Sequence, residues 1–597
     1  MTYDDEIYNK PLSMGVWRAI WPFLTPYRAG VARAMAFMTI CSLIDVSIPL
    51  YQKYFIDTFI LPSKTDGLFV LVMLGAGVMA LNFFCVMALA RTAISVEMGI
   101  SRDLKKACFD RLQLLSISYY NKTPVGYIIS RVLSDTDKIG LIIAWGLLDM
   151  MWGLSYVIFA LISMLALEFR LGIWLVVMAP FMTLATMWFQ GKILSRNRRV
   201  RHTNSMITAS FNEGILGART SKTLVIEDIN IREFSGLSAS MYRESVGAAF
   251  WSALYTPVIM TFGAFAVSVM LVKGGRDVSA GRIAIGAMSA MITYAVAIFE
   301  PIRHLSHFFS DATSTQANIE RVDALLKQEI EIQDSPEVVR VYGDSFNPKR
   351  ENWERLSGDV RFDDISFRYS KDGQEVLSHF NLDIRAGTRV ALVGETGAGK
   401  STIVNLATRF FEPTSGRILI DGRDYRERSQ LWLHSNIGYV LQTPHLFSGS
   451  VRENICYGRP DATEEDIMRA LRVSCADNVV DRLQGGLDSD VGEGGDRLSV
   501  GEKQLISFAR AVLTDPRIFV LDEATSSVDT ETEMLIQRAI AQVLRGRTSF
   551  LIAHRLSTIR EADLILVISG GKIVERGTHE ELLRLGGRYR DTLKKNA

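Results

Sequence analysis

Twenty-seven consecutive residues without a charge, Val246 to Val272, constrain this chain more than any other feature. An apolar helix of roughly 20 residues spans the hydrocarbon core of a bilayer. The run has company: Leu68 to Ala90 gives 23 uncharged residues, Leu171 to Gln190 gives 20, Met150 to Leu167 gives 18 and Ile283 to Phe299 gives 17. A further span is interrupted, with Ala34 to Ile44 apolar, Asp45 intervening and Val46 to Tyr51 resuming. Buried core helices explain one such run but hardly five. The reading is a transmembrane domain over 1–327 with six helices, at about 30–60, 67–91, 139–167, 170–192, 246–273 and 280–304.

The connecting segments set the orientation. Residues 91–138 carry eight Lys/Arg and 191–245 carry nine, including Arg196, Arg198, Arg199 and Arg201. The loops at 61–67 and 168–170 hold one each, and 273–282 holds three. Basic segments stay inside, so both long connections and both termini are expected in the cytoplasm. This topology also accounts for the Arg196–Arg201 cluster, which argues against nucleic-acid binding. Both connections keep helical periodicity, so the spans are expected to continue into the cytoplasm and reverse near Pro124-Val125-Gly126 and Gly214–Gly217. Residues 13–27 mix Trp, Phe and Tyr with Arg18, a composition suited to an interfacial helix. The first ten residues are polar and acidic, which argues against a cleavable secretory signal. Asp45 and Asp149 fall inside apolar spans, where a carboxylate is costly and marks a site by default. Each can bind a cationic substrate, pair with another helix, or sit near enough to the interface to be solvated.

At 597 residues the chain needs two or three domains. Its net charge of +1 gives no global field for nucleic acid or a strongly acidic partner. The five cysteines are scattered without C-x-x-C spacing, which reads as isolated thiols rather than disulfides or a metal site. Residues 328–357 are polar with Pro336 and Pro348, a linker by composition. From 358 to 597, short β-rich runs alternate with helical ones, as expected of a mostly parallel α/β sheet.

This second half carries the chemistry. Ala391 to Thr402 reads ALVGETGAGKST, a strand, a glycine-rich turn and a helix start in the pattern G-x-x-x-x-G-K-[ST]. Its backbone N–H groups and helix N-terminus cradle phosphate, which assigns Gly394, Glu395, Thr396, Gly397, Ala398, Gly399, Lys400, Ser401 and Thr402 to nucleotide binding. Lys400 reaches the β- and γ-phosphates and Ser401 is a Mg²⁺ ligand in this reading. Ile518 to Glu523 reads IFVLDE, an apolar strand ending in two acids. Asp522 then holds Mg²⁺ directly or through water, and Glu523 orients or deprotonates the attacking water. His554 ends another apolar strand and can hold that water in line. Gln442 can reach Mg²⁺ or the water, and the Tyr369 ring can stack on adenine. Leu498 to Gln504, LSVGEKQ, leads into a helix whose N-terminus, with Ser499 and Gly501, forms a second anion-binding surface. A nucleotide held by its own loop has no need of a second such surface. It is therefore expected to meet the γ-phosphate of a nucleotide on another subunit.

Taken together, these motifs resemble the ATP-binding cassette (ABC) exporter half-transporters, and the resemblance covers nearly the whole chain. GETGAGKS (394–401) matches Walker A, Gln442 the Q-loop, IFVLDE Walker B, SSVD (526–529, with Asp529) the D-loop and His554 the switch histidine. VGEGG (491–495) resembles the exporter X-loop. GYIISRVLSDTD (126–137) and EGILGARTSKTL (213–224) resemble the intracellular segments whose coupling helices engage the nucleotide-binding domains. The implied fold is a helical polytopic membrane domain followed by an α/β P-loop ATPase domain of the ABC type. The implied cofactors are ATP and Mg²⁺, and the implied place is a bacterial cytoplasmic membrane.

One departure is informative: the family signature LSGGQ is LSVGE here, with Val500 and Glu502 replacing Gly and Gln, while Glu523 and His554 are intact. That combination resembles the catalytically competent half of bacterial heterodimeric exporters, and favours a heterodimer over a homodimer. The resemblance implies ATP-driven efflux of hydrophobic or amphipathic compounds, and the Met- and aromatic-rich spans suit adaptable apolar binding. A lipid flippase, or an exporter of one endogenous peptide or siderophore-like compound, is the alternative. No protease domain with a Cys/His pair precedes the first span, and no insertion or motif loss marks a channel or regulatory subunit.

Overall fold

The structure, a computed structural model, describes residues 13–370, 372–522, 529–552 and 556–596. The chain forms two compact units, Met1–Gln113 with Thr123–Gln328, and Leu114–Lys122 with Glu329–Ala597.

Among the described residues of the first unit, six helices are long and apolar enough to cross a membrane. They are α1 (Trp21–Ile60), α2 (Leu68–Leu114), α3 (Val125–Leu167), α4 (Phe169–Leu216), α5 (Glu227–Ser279) and α6 (Ile285–Leu326). Each outruns its apolar stretch. The 48 residues of α4 make a helix about 72 Å long at 1.5 Å per residue, more than twice the hydrocarbon thickness. Phe69, Val70, Leu74, Phe84 and Met260 point outward, as lipid-facing side chains do. The interior mixes the small Ala160 and Ala290 with Met270, Met291 and the large Tyr294, all fully buried. Small side chains let helix backbones approach closely where water supplies no hydrophobic drive. The Tyr294 hydroxyl donates to the Val46 carbonyl, tying α6 to α1. Pro49, Pro180 and Pro257 lie inside α1, α4 and α5. Gly217 ends α4, and the short helix Ala218–Leu224 follows it.

Beyond the apolar runs, the helices are held by polar contacts. Asp135 of α3, 2% exposed, takes two hydrogen bonds from the Arg321 guanidinium of α6, at 2.8 and 2.9 Å. Arg321 also donates to Asn318 at 2.7 Å.

The second unit has ten strands among the described residues: β1 (Val360–Phe367), β2 (Leu377–Ile384), β3 (Arg389–Val393), β4 (Ser415–Ile420), β5 (Arg423–Asp424), β6 (Ile437–Val440), β7 (Ile518–Asp522), β8 (Thr548–Ile552), β9 (Leu564–Ser569) and β10 (Lys572–Gly577). One sheet runs β10-β9-β3-β8-β7-β6, parallel except for β10; the other is antiparallel in the order β2-β1-β4-β5. The central strands are apolar throughout because both faces are covered. Successive residues alternate between two cores: Ala391, Val393, Phe519, Leu521, Leu551, Ile565 and Val567 pack in one. Val390, Leu392, Ile518, Val520, Phe550, Ile552, Leu566 and Ile568 pack in the other. Because β3, β7 and β8 are parallel, their carboxyl ends share one sheet edge, where α/β proteins bind ligands.

Residues 329–357, a polar linker by composition, are built into this unit. Val338, Tyr342 and Leu356 join its core, and Asp334 accepts from the fully buried Arg409 at 2.8 Å. Apolar residues at those few positions outweigh the polar composition around them. Leu114–Lys122, containing the short helix Ile117–Lys122, also groups with this unit, and Ser116 and Ser118 donate to Glu331 at 3.2 Å. The segment 126–137, expected to engage the nucleotide-binding domain, belongs to the first unit.

Replacing Arg321 with Ala strands a buried carboxylate, a loss of about 3–5 kcal/mol. The variant should melt several degrees below the parent protein in a thermal scan in lipid nanodiscs.

Candidate functional site

The phosphate loop follows β3 and ends in α7 (Lys400–Ala407). Two glycines make its path. At Gly394 (φ 157°) an added Cβ would lie 2.3 Å from the Ile568 carbonyl oxygen of β9, so no side chain fits. Gly399 caps α7 at φ 104°, a conformation that L-residues rarely adopt. Glu395, Thr396 and Gly397 are exposed along the rim, while Ala398 is buried and its carbonyl accepts from the Gly571 amide at 3.1 Å.

Lys400 is 7% exposed, and its ammonium curls back over the loop, donating to the carbonyls of Gly394 at 2.7 Å and Glu395 at 2.9 Å. Burial lowers its pKa, against the pull of the Asp522 carboxylate. Asp522 ends β7, half-buried. Burial, helped by that same carboxylate, pushes the neighbouring Tyr439 phenol up to about 12. Ser401 is exposed at the first turn of α7. Thr402 is buried, and its hydroxyl is 2.9 Å from the Tyr369 hydroxyl. Tyr369 stands edge-on to Phe367 and Phe411, with ring centroids at 4.9 and 5.2 Å, and is 46% exposed. The structure thus brings together the loop, Asp522 and an aromatic ring with an open side. Gln442 is exposed just beyond β6. Glu523 and His554 lie outside the described residues.

Ser499 and Gly501 belong to a different element, α8 (Val500–Leu513). Ser499 caps it: its side chain accepts the Glu502 amide at 3.3 Å, while its own amide and hydroxyl both donate to Glu502 Oε2 at 2.9 Å. This reciprocal capping box is the S-x-x-E pattern, legible at 499–502 in the sequence. It means that the two donors of the signature serine are directed at the chain's own carboxylate. Arg510 fixes α8 to the segment after Gln442, donating to the Asn454 carbonyl at 2.9 Å and the His445 carbonyl at 3.0 Å. Asp529 caps α9 (Thr530–Val543), accepting the Thr532 amide at 2.9 Å, which holds its carboxyl below the usual range.

The donors available for Mg²⁺ are hard oxygens: the Ser401 hydroxyl, the Asp522 carboxylate and the Gln442 amide. Among the described residues no three His, Cys, Asp or Glu side chains converge as a metal cage. Mg²⁺ bound largely through nucleotide phosphates and water needs none.

Six apolar helices joined to a P-loop α/β unit define an integral membrane protein that carries its own nucleotide-binding domain. Residues 377–526 match the ABC transporter family and 32–302 the ABC transporter transmembrane region. The chain therefore belongs to the ABC transporters, which couple ATP hydrolysis to transport and act as dimers of such halves. It is 32% identical over 596 residues to YknV of Bacillus subtilis (strain 168), an uncharacterized ABC transporter ATP-binding protein, covering 99% of this chain and 96% of that one. It is 34% identical over 495 residues to an ATP-dependent lipid A-core flippase of Desulfotalea psychrophila, covering 83% and 84%. A solved bacterial Atm1-family ABC exporter with ATP bound matches 96% of this chain and 98% of its own, at TM-score 0.76 and 26% identity.

Removing the Tyr369 ring should weaken ATP binding by the worth of one base-stacking contact, about 1–3 kcal/mol or roughly 5- to 150-fold. Titration with a fluorescent ATP analogue should show that loss in Tyr369→Ala but not in Tyr369→Phe.

Proposed function

We propose that the chain is the hydrolytically competent half of a heterodimeric exporter for hydrophobic or amphipathic compounds in a bacterial cytoplasmic membrane, with the nucleotide-binding unit inside. The observation that carries this reading is the asymmetry within one chain. Its phosphate loop, Asp522 and Tyr369 are assembled, while its signature serine is capped by Glu502. In the working site, Lys400 and the loop amides hold phosphates, Ser401, Asp522 and Gln442 hold Mg²⁺, and Tyr369 takes the adenine. Glu523 acts as general base and His554 keeps the water in line. Mg²⁺ supplies charge neutralisation at the phosphates. The signature face of Ser499 and Gly501, with Asp529, meets the nucleotide of the second half.

ATP can shift the dimer from open to closed only through a higher affinity for the closed state, which contacts from two subunits supply. Closure turns the cavity outward and hydrolysis resets it. A cleft of about 460 Å³ between α4 and α5, lined by Met178, Phe181, Val258, Thr261, Phe262 and Phe265, supports an apolar cargo. The similarity to a lipid A-core flippase favours a lipid as the second reading.

Glu523→Gln should still bind ATP but turn it over roughly 10²-fold more slowly, the scale of a lost general base. Mg-ATPase assays in nanodiscs check this, and near-normal turnover removes Glu523 from that role. Glu502→Gln keeps an acceptor for the cap but loses the charge, so half-saturation by ATP in the assembled dimer should fall several-fold with little change in melting. An unchanged ATP dependence would show that the Glu502 charge does not oppose the phosphates. Stoichiometry in the same nanodiscs separates the pairings, because a self-sufficient homodimer overturns the heterodimer reading.

A further inference from the structure

α1 and α6 are joined, in the halves that lie away from the basic connections, by a seam of polar contacts. The Tyr294 hydroxyl donates to the Val46 carbonyl, and Gln52 Nε2 donates to the Ser289 hydroxyl at 3.1 Å. The Thr293 hydroxyl shares its proton between the Ser289 carbonyl at 3.1 Å and Gln52 Oε1 at 3.4 Å. At the far end of the seam, Asp57 accepts the Gly286 amide at 2.8 Å. That amide belongs to the first turn of α6, where it has no carbonyl partner within its own helix, and the N-cap residue Ala284 brings no side-chain acceptor. One helix thus caps the other.

The backbones meet closely here. Gly286 and Ala290 are buried at helical spacing on the face of α6 that also carries Ser289, Thr293 and Tyr294, the small-x-x-x-small arrangement that lets membrane helices approach. A Cβ at Gly286 would lie 2.5 Å from the Lys53 carbonyl oxygen. The last turn of α1, Ile56–Ile60, carries Asp57 and is π-helical, a departure frequent at functional sites.

The two ends of α6 are held with different strength. Arg321 is fixed to Asp135 of α3 by two charge-assisted bonds, and breaking that buried pair is strongly unfavourable. Tyr294 lies 27 residues before Arg321, about 40 Å along the helix. There the contacts to α1 are mostly between neutral groups, and one such bond between helices in a bilayer shifts an equilibrium only about threefold on average. Asp57 and Gly286 also stand beside the loops that end their spans, so water replaces their bond when the helices part. A helix pinned at one end and lightly held at the other is a lever.

We infer that Gln52 and Asp57 latch α6 onto α1, and that α6 leaves this latch, turning about the Asp135–Arg321 pair, when the pathway opens at the end away from the basic connections. This inference rests on the exporter reading and assigns the residues that gate its transport step.

The test uses the full chain, assembled as a dimer in lipid nanodiscs, and reads the latch by hydrogen exchange over residues 284–290. In Glu523→Gln, which holds ATP without turning it over, ATP should raise that exchange. With Gln52→Cys and Ser289→Cys added to this background, a short bis-methanethiosulfonate cross-linker should abolish the rise and a reductant should restore it. The native thiols, four buried and Cys456 half-buried, are controlled by treating the parent chain alike. Gln52→Leu should raise exchange without ATP about threefold, the average worth of one such hydrogen bond. Ser289→Thr, which keeps the hydroxyl, should leave it within about twofold. A seam that only packs the helices tolerates the cross-link, so an ATP-driven rise that survives it overturns the inference, as does unchanged exchange in Gln52→Leu. Mg-ATPase with Glu523 intact keeps the two readings apart. Turnover without any effect of ATP on 284–290 leaves the exporter standing and sinks the latch. A latch that responds to ATP and to the cross-linker, without any turnover in the assembled dimer, sinks the exporter instead.

Discussion

Backbone amides and carbonyls find no water in hydrocarbon, and most of this architecture depends on that deprivation. Each span must satisfy its own backbone, so it must be a helix. Once begun, a helix costs little to extend, which is how α4 reaches 48 residues and carries polar surface far from its apolar run. The price inside the membrane is that every ionisable side chain needs an explanation. Donors from Trp152, Trp145 and the Gly286 amide provide it for Asp45, Glu97 and Asp57.

The same accounting shapes the nucleotide-binding unit, in protein rather than lipid. β3, β7 and β8 are covered on both faces, so their polar chemistry can emerge only at strand ends. That is why the loop from Gly394 to Gly399 and the carboxylate of Asp522 share one edge. Lys400 shows the principle locally: buried and cationic, it is satisfied by the carbonyls of Gly394 and Glu395.

Much of this was legible in the residues themselves. Uncharged runs announced the spans, and the fold class followed from the alternation after residue 358. Glycine and lysine spacing at 394–400 announced the loop, because only glycine tolerates the approach of Gly394 to Ile568. Long-range pairings were not legible. Nothing local in Asp135 points to Arg321, 186 residues away. Asp334 and Leu356 look like linker residues until their burial is seen. The Ser499–Glu502 cap and the polar face of α6 were readable by spacing, yet each competes with a more familiar reading of the same residues, a family signature and a helix end. The environments of Glu523 and His554 lie outside the described residues.

The cap on α8 has a further consequence. A carboxylate tethered three residues from the donors it occupies acts as an intramolecular competitor, present at a fixed effective concentration on the order of millimolar or above. Dilution cannot remove it, and high ionic strength weakens it together with its rivals. In the proposed dimer, the phosphate of the second half's nucleotide competes with this resident anion, whereas the neutral glutamine of the family signature competes more weakly. In the proposed dimer the change from Gln to Glu therefore keeps the cap but raises the threshold a phosphate has to overcome, set by how readily Glu502 swings away.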